Sequence, residues 1–198
     1  GAAQLQAELD VLGRCRHPSL LPLLGYCLDA RAPCLVFPLC DGGSLHDRLF
    51  FAASESRARL AALGVADAAP LSWRERLAIL CGVAQALLYL HTPAPGKPQT
   101  LHRDVKPGNV LLVNDAAGPR PLLADTGLAK AADGDVSATM SHLTTARVLF
   151  TPGFEDPLSI GSQHSAMTDA FAFGVTALVT LTGQPPVDRR NAPLIFSE

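Results

Sequence analysis

Between His102 and Asn109 the sequence places a carboxylate at Asp104, an ammonium group at Lys106 and a carboxamide at Asn109. A carboxylate can accept the proton of a hydroxyl, a cation can offset charge on an anionic group in transfer, and an amide oxygen can hold a hard metal ion. A second carboxylate, Asp125, stands 16 residues after Asn109 in an Asp-Thr-Gly triplet that follows an apolar stretch. The 16 basic residues include only three lysines, at 97, 106 and 130, so a lysine inside this cluster carries more weight than it would in a lysine-rich chain.

The elements that must hold these groups come from a chain of 198 residues, 48% apolar, 17% charged and 6% aromatic. That apolar content excludes a disordered segment, and the length can bury an ordinary core. A net charge of −2 and a pI near 6.3 give no basic footprint for nucleic acid or for an anionic membrane. The five cysteines include no C-x-x-C pair and no His at metal-ligand spacing, which predicts buried free thiols in a reducing, cytoplasmic compartment. The longest apolar run, Ala170 to Leu181, covers 12 residues, whereas a membrane span needs about 20. No membrane contact is expected from this segment.

Leu5, Leu9 and Leu12 predict an amphipathic helix over 3–15 that carries Glu8 and ends at His17-Pro18. Apolar stretches at 20–27 and 33–39 read as a strand pair, and Ser44 as the cap of a short helix over 45–51. Residues 52–70 are Ala-rich without sharp periodicity, an insertion that is partly helical at most. Ser72-Trp73-Arg74-Glu75 has the form of a capping box, opening a helix that runs to His91. A loop and two short strands are expected over 101–124, with the turn at 114–120. Residues 125–164 lack periodicity, and a last helix is expected from Thr168-Asp169 to Thr182, stopped by Gly183.

His102-Arg103-Asp104-Val105-Lys106-Pro107-Gly108-Asn109 matches H-R-D-x-K-x-x-N at every fixed position, and Asp125-Thr126-Gly127 stands where D-F-G would follow. In these motifs the chain resembles the protein kinase family, and within it the plant receptor-like and Pelle/interleukin-1-receptor-associated group. Further resemblance lies in His17-Pro18 with the run to Cys27, in Thr151-Pro152-Gly153-Phe154, in Asp169 to Val175, and in Thr182-Gly183-Gln184-Pro185-Pro186. It covers nearly the whole chain.

The resemblance implies an α+β, bilobal fold truncated at both ends. Residues 1–40 would form part of the small lobe with the hinge, and 41–198 part of the large lobe. It implies ATP and Mg²⁺ as cofactors and a protein substrate phosphorylated on Ser or Thr. Asp104 would orient and deprotonate the substrate hydroxyl, Lys106 would offset γ-phosphate charge, and Asn109 and Asp125 would hold Mg²⁺. Glu8 would pair with a strand lysine upstream of Gly1. Phe37 would be the gatekeeper, the Pro38 carbonyl and Cys40 amide would meet the adenine edge, and Leu111 would pack beneath the ring. Asp169 would anchor the catalytic loop from a buried helix, and Arg103 would receive a phosphate from Ser137, Thr139, Ser141, Thr144 or Thr145.

Three positions depart from the family pattern: Thr126 replaces the Phe of D-F-G, Leu158 the Glu of A-P-E, and Phe150 the Gly before Thr151. The family's Gly-rich loop and strand lysine are absent from these residues, which open at their helix partner, so this segment by itself should be a poor catalyst. These departures motivate the alternative of a kinase-like binding or scaffold module.

Overall fold

The computed structural model describes residues 9, 12–29, 31–65, 69–125, 130–131, 152–157 and 164–187. Their elements follow in the order β1 (Gly25–Cys27), β2 (Cys34–Val36), α1 (Leu45–Leu49), α2 (Ser54–Ala62), α3 (Trp73–His91) and β3 (Thr100–Leu101). A 3₁₀ turn (Pro107–Asn109), β4 (Val110–Asp115), β5 (Gly118–Leu123), β6 (Lys130–Ala131) and α4 (Ala166–Thr182) complete them. Of the predicted helix over 3–15, residues 12–14 are helical, and most of the rest, Glu8 included, lies outside the described residues. Among the described residues there are three two-stranded antiparallel sheets, β1–β2, β3–β6 and β4–β5.

Each long helix begins where a side chain replaces the missing helical acceptor. The Ser72 hydroxyl accepts from Glu75 N while the Glu75 carboxylate takes Ser72 N at 2.7 Å, closing the predicted capping box. The last helix starts earlier than Thr168 because Ser165 caps it, accepting from Met167 N and Thr168 N. It ends at Gly183, whose φ of 69° is left-handed backbone that glycine adopts without strain. Ser44 caps α1 as expected, although that helix closes at Leu49.

The β4–β5 hairpin is longer than expected, running from Val110↔Leu123 to Asp115↔Gly118, with the turn reduced to Ala116 and Ala117. Most of the expected turn at 114–120 is strand, and β5 contains both Pro119 and Pro121. They sit two apart in β5, in phase with Leu123, whose N–H points away from β4 to Ser19 O at 2.8 Å. Their missing N–H groups therefore fall on the outer edge, where no β4 bond is lost.

The main core joins α3 to this hairpin and to α4 through Ile79, Val83, Leu90, Leu112, Leu123 and Ala172. Helix and hairpin meet at Gly82, where a Cβ would lie 2.5 Å from Pro121 Cγ and 3.2 Å from Ser19 Oγ. Gly82→Ala should therefore destabilise the protein by up to about 2 kcal/mol, the overpacking cost of about 1–3 kcal/mol being set against a helix-propensity gain of about 1 kcal/mol. A urea midpoint equal to or above that of the parent would contradict this packing.

Helix α2 falls within 52–70 and is docked by its own side chains. Leu60 is buried, and Arg59 donates to the buried Asp47 through Nη2 at 2.7 Å and Nε at 2.9 Å. Arg48, also buried, donates to Ala69 O at 3.4 Å. All five cysteines are free, as expected, but only Cys40 is buried, while Cys27, Cys34 and Cys81 are exposed. No helix among the described residues is long and apolar enough to cross a membrane.

Candidate active site

Pro107 opens the 3₁₀ turn with its fixed φ, and Asn109 N closes it on Lys106 O at 3.0 Å. The turn brings the three side chains together. Asp104 Oδ2 accepts from Lys106 Nζ at 2.7 Å and from Asn109 Nδ2 at 2.8 Å, and the same Asn109 amide also donates to Asp104 O at 2.8 Å. Asp104 and Lys106 keep side-chain exposures of 15% and 25%, so the pair is largely screened from bulk water yet still partly accessible.

The loop is fastened from below by Asp169 on α4, which is 2% exposed. Its Oδ1 accepts from Arg103 N at 2.7 Å, and its Oδ2 accepts from His102 N at 2.8 Å and from His91 Nε2 at 2.8 Å. Burial by itself pushes the Asp169 carboxyl up, but these donors outweigh it and hold the group below the ordinary carboxylate range. The anchoring leaves Arg103 at φ 72°, left-handed backbone that costs a non-glycine residue about 1–3 kcal/mol and is kept where surrounding bonds enforce it. The Arg103 guanidinium is pushed down by burial, and its Nε is buried with no hydrogen bond to any described residue.

His102 is fully buried and spans the two halves of the site. Its Nε2 faces Ala124 O at 3.0 Å and its Nδ1 faces Asp104 N at 3.3 Å. A carbonyl only accepts and a backbone N–H only donates, which assigns the proton to Nε2 and makes the ring neutral. Burial lowers its pKa, against the opposing pull of Asp169, Ala124 O, Asp104 and Asp125. Because the folded-state pKa lies below the unfolded value of about 6.5, His102 contributes stability that is present above pH ~6.5 and lost as pH falls. His17 and His46, also pushed down by burial, act in the same direction. In a His17→Gln/His46→Gln protein the urea midpoint should still fall between pH 7.5 and 5, and a flat profile would overturn the neutral assignment.

Asp125 follows immediately. Ala124 N donates to Asn109 O at 2.8 Å, so the end of β5 is tied to the 3₁₀ turn. Asp125 itself is exposed at φ 64°, a second non-glycine residue in the left-handed region. Asn109, with its Nδ2 committed to Asp104, keeps an amide oxygen for a cation, and Asp125 supplies a carboxylate one residue beyond the Ala124–Asn109 backbone bond. One carboxylate and one amide oxygen suit Mg²⁺, which keeps several waters and takes phosphate oxygens as further ligands. The described residues contain no cluster of three His, Cys, Asp or Glu side chains that would favour a softer metal.

A second cluster lies beside the loop. Leu21, Cys40, Leu122 and Ala124 are buried together, with Phe37, Leu111 and Val113 packed against them. Phe37 and Cys40, from the segment after β2, and Leu111, from β4, thus share one apolar cluster. Cys40 Sγ faces Pro38 O at 3.8 Å, and the Cys40 carbonyl accepts from Gly43 N at 3.2 Å. Gly153 packs on the chain after α4, since a Cβ there would lie 2.9 Å from both Pro186 and Val187. Thr126, Phe150, Thr151, Leu158 and the five candidate phosphorylation sites lie outside the described residues.

Sequence reasoning did not find His91. It ends the best-marked helix, where it reads as an ordinary basic residue at a helix C-terminus, and only the fold places it on Asp169.

The protein kinase domain model matches residues 2–197. The chain belongs to the protein kinase family. It is 37% identical over 187 residues to the leucine-rich repeat receptor protein kinase MSL1 of Oryza sativa subsp. japonica, covering 94% of this chain and 12% of that protein. It is 33% identical over 195 residues to the probable serine/threonine-protein kinase PBL11 of Arabidopsis thaliana, covering 98% and 44%. Against interleukin-1 receptor-associated kinase 1 of Mus musculus it is 34% identical over 190 residues, covering 93% and 24%. The chain thus spans less than half the length of each of these curated relatives, and it carries part of a kinase-like α+β fold.

Proposed function

We propose that the protein is a serine/threonine kinase that transfers the γ-phosphate of ATP to Ser or Thr hydroxyls of a protein substrate in the cytoplasm. The observation that carries this reading is Asp104 Oδ2 held between Lys106 Nζ at 2.7 Å and Asn109 Nδ2 at 2.8 Å, with Asp125 one residue beyond the strand bond to Asn109. Phosphoryl transfer depends mainly on positioning and on charge stabilisation, and both are supplied here. Asp104 is oriented to accept the substrate hydroxyl proton. Lys106 sits where it can offset charge on the transferred group. Asn109 Oδ1 and the Asp125 carboxylate would hold Mg²⁺, which supplies neutralisation of the phosphate oxygens when bound.

Residues 1–40 and 41–198 are assigned to the small and large lobes, with 52–70 as an insertion in the latter. The surface formed by Phe37, Cys40 and Leu111 is assigned to the adenine, whose edge would meet the Pro38 carbonyl and the Cys40 amide. Glu8 is assigned to pairing with a strand lysine. Relatives named as serine/threonine kinases support the choice of hydroxyl. The test is to incubate the full-length protein with radiolabelled ATP, Mg²⁺ and a mixed protein substrate. Label on Ser or Thr is expected; label on Tyr alone would reject the specificity.

A scaffold reading is favoured by Thr126, which is smaller than the Phe of D-F-G that it replaces, and by Leu158, which cannot form the ion pair of a Glu. It predicts no phosphate transfer by the full-length protein, so measured turnover that disappears with Asp104→Asn rejects it.

A further inference from the structure

Three of the five cysteines are exposed, and two of them face each other. Cys27 at the end of β1 and Cys34 at the start of β2 are directly opposed Cα partners in an antiparallel pair. Directly opposed residues project from the same face of the sheet, with Cα atoms about 4.5–5.5 Å apart whichever kind of pair they form. Disulfides span Cα separations of about 4.4–6.8 Å, so this register needs little backbone movement to bring the two sulfurs together. Between the strands Ala32 N donates to Asp29 O at 3.0 Å, and Arg31 pairs with Asp29 at 2.9 Å.

The other thiols are placed differently. Cys40 is buried and Cys15 half-buried, and burial pushes both thiols up, which keeps them protonated and unreactive. Cys81 lies on α3, outside this hairpin. An exposed pair in register on a short hairpin is therefore the site where oxidation closes a bond instead of stopping at a single modified sulfur. Exposed disulfides of this kind are typically labile and regulatory rather than structural.

We propose that Cys27 and Cys34 form a redox-responsive dithiol that closes to an intramolecular disulfide by exchange with a low-molecular-weight disulfide. One cysteine thiolate attacks the S–S bond of the oxidant, forming a mixed disulfide and expelling the first small thiolate. The second cysteine thiolate then attacks the protein sulfur of that mixed disulfide and expels the other. Two protein thiols are oxidised, one small disulfide is reduced to two small thiols, and the two protons leave with those thiols. The bond ties β1 to the strand that feeds Phe37. It does not depend on the nucleotide site.

The full-length protein should be treated with oxidised glutathione, alkylated and digested with trypsin without reduction. Cleavage after Arg16, Arg31 and Arg48 separates a peptide 17–31 containing Cys27 from a peptide 32–48 containing Cys34 and Cys40. The two peptides are expected to remain joined, at least tenfold more abundantly than any linked pair involving Cys15 or Cys81, and to separate on adding dithiothreitol. Cys34→Ser should abolish the link and Cys40→Ser should leave it. Separate glutathionylation of Cys27 and Cys34 with no linked peptide would overturn the proposal, as would a link that survives Cys34→Ser.

Discussion

Asp104→Asn is expected to lower phosphate transfer by the full-length protein about 10²–10⁴-fold, the range that a positioned general base contributes. The substitution keeps the shape of the side chain and its contact with Asn109, but it removes the charge that Lys106 Nζ meets at 2.7 Å and the lone pairs that would take the hydroxyl proton. Nucleotide binding should be little changed if the proposed adenine site is right, because the cluster of Phe37, Cys40 and Leu111 does not involve Asp104. The informative measurement is therefore kcat under saturating ATP, with melting temperature as the control for folding. Turnover within tenfold of the parent would remove Asp104 from the chemistry.

Asp169→Ala should be among the most destabilising single changes in the chain, by about 3–5 kcal/mol. It strips partners from two backbone N–H groups, His102 and Arg103, and from His91, in a place where water cannot replace them. Asp169→Asn should cost about 2–3 kcal/mol. One amide oxygen can still serve Arg103 N, but the amide nitrogen would face His102 N–H with two donors opposed. The depressed Asp169 pKa also gives the interaction a pH signature. The stabilisation is complete above the unfolded carboxylate value of about 3.9 and is lost as pH falls through the lower folded value. Asp169→Asn should therefore flatten the acid limb of the stability profile below pH ~4. An unchanged limb, or a urea midpoint equal to the parent's, would show that the loop is held by something other than this carboxylate.

The parts of the fold that were legible in the sequence are those decided by local chemistry. Ser72 and Glu75, Ser44 and Gly183 each act within one helical turn of themselves, and each is found where the residue types placed it. The limits of β4 and β5 were less legible, because only the register of the pair decides which backbone N–H groups must be bonded and so whether a proline is tolerated in the strand. Asp104, Lys106 and Asn109 lie within six residues, so their spacing alone carries the contact between them. Asp169 was expected as an anchor from the resemblance to kinases. His91, 78 residues away from it, was not, since nothing in the helix it ends distinguishes a partner from a surface residue.

The β4–β5 hairpin has a consequence for how the molecule behaves among copies of itself. On the β4 side, Leu112 exchanges bonds with Gly42 and Gly43, at 2.9 and 2.8 Å, and Asn114 N is taken by Asp41 at 2.9 Å. On the β5 side, two of the outward positions are prolines without N–H, and Leu123 is claimed by Ser19 and Leu21 at 2.8 and 2.9 Å. A two-stranded ribbon of this length would ordinarily present two open templates for a strand from another chain. Here one border is occupied and the other has no donors to offer, so edge-to-edge aggregation is blocked beside Asp104, Lys106 and Asn109 without any charged gatekeeper along the strands' outer edges.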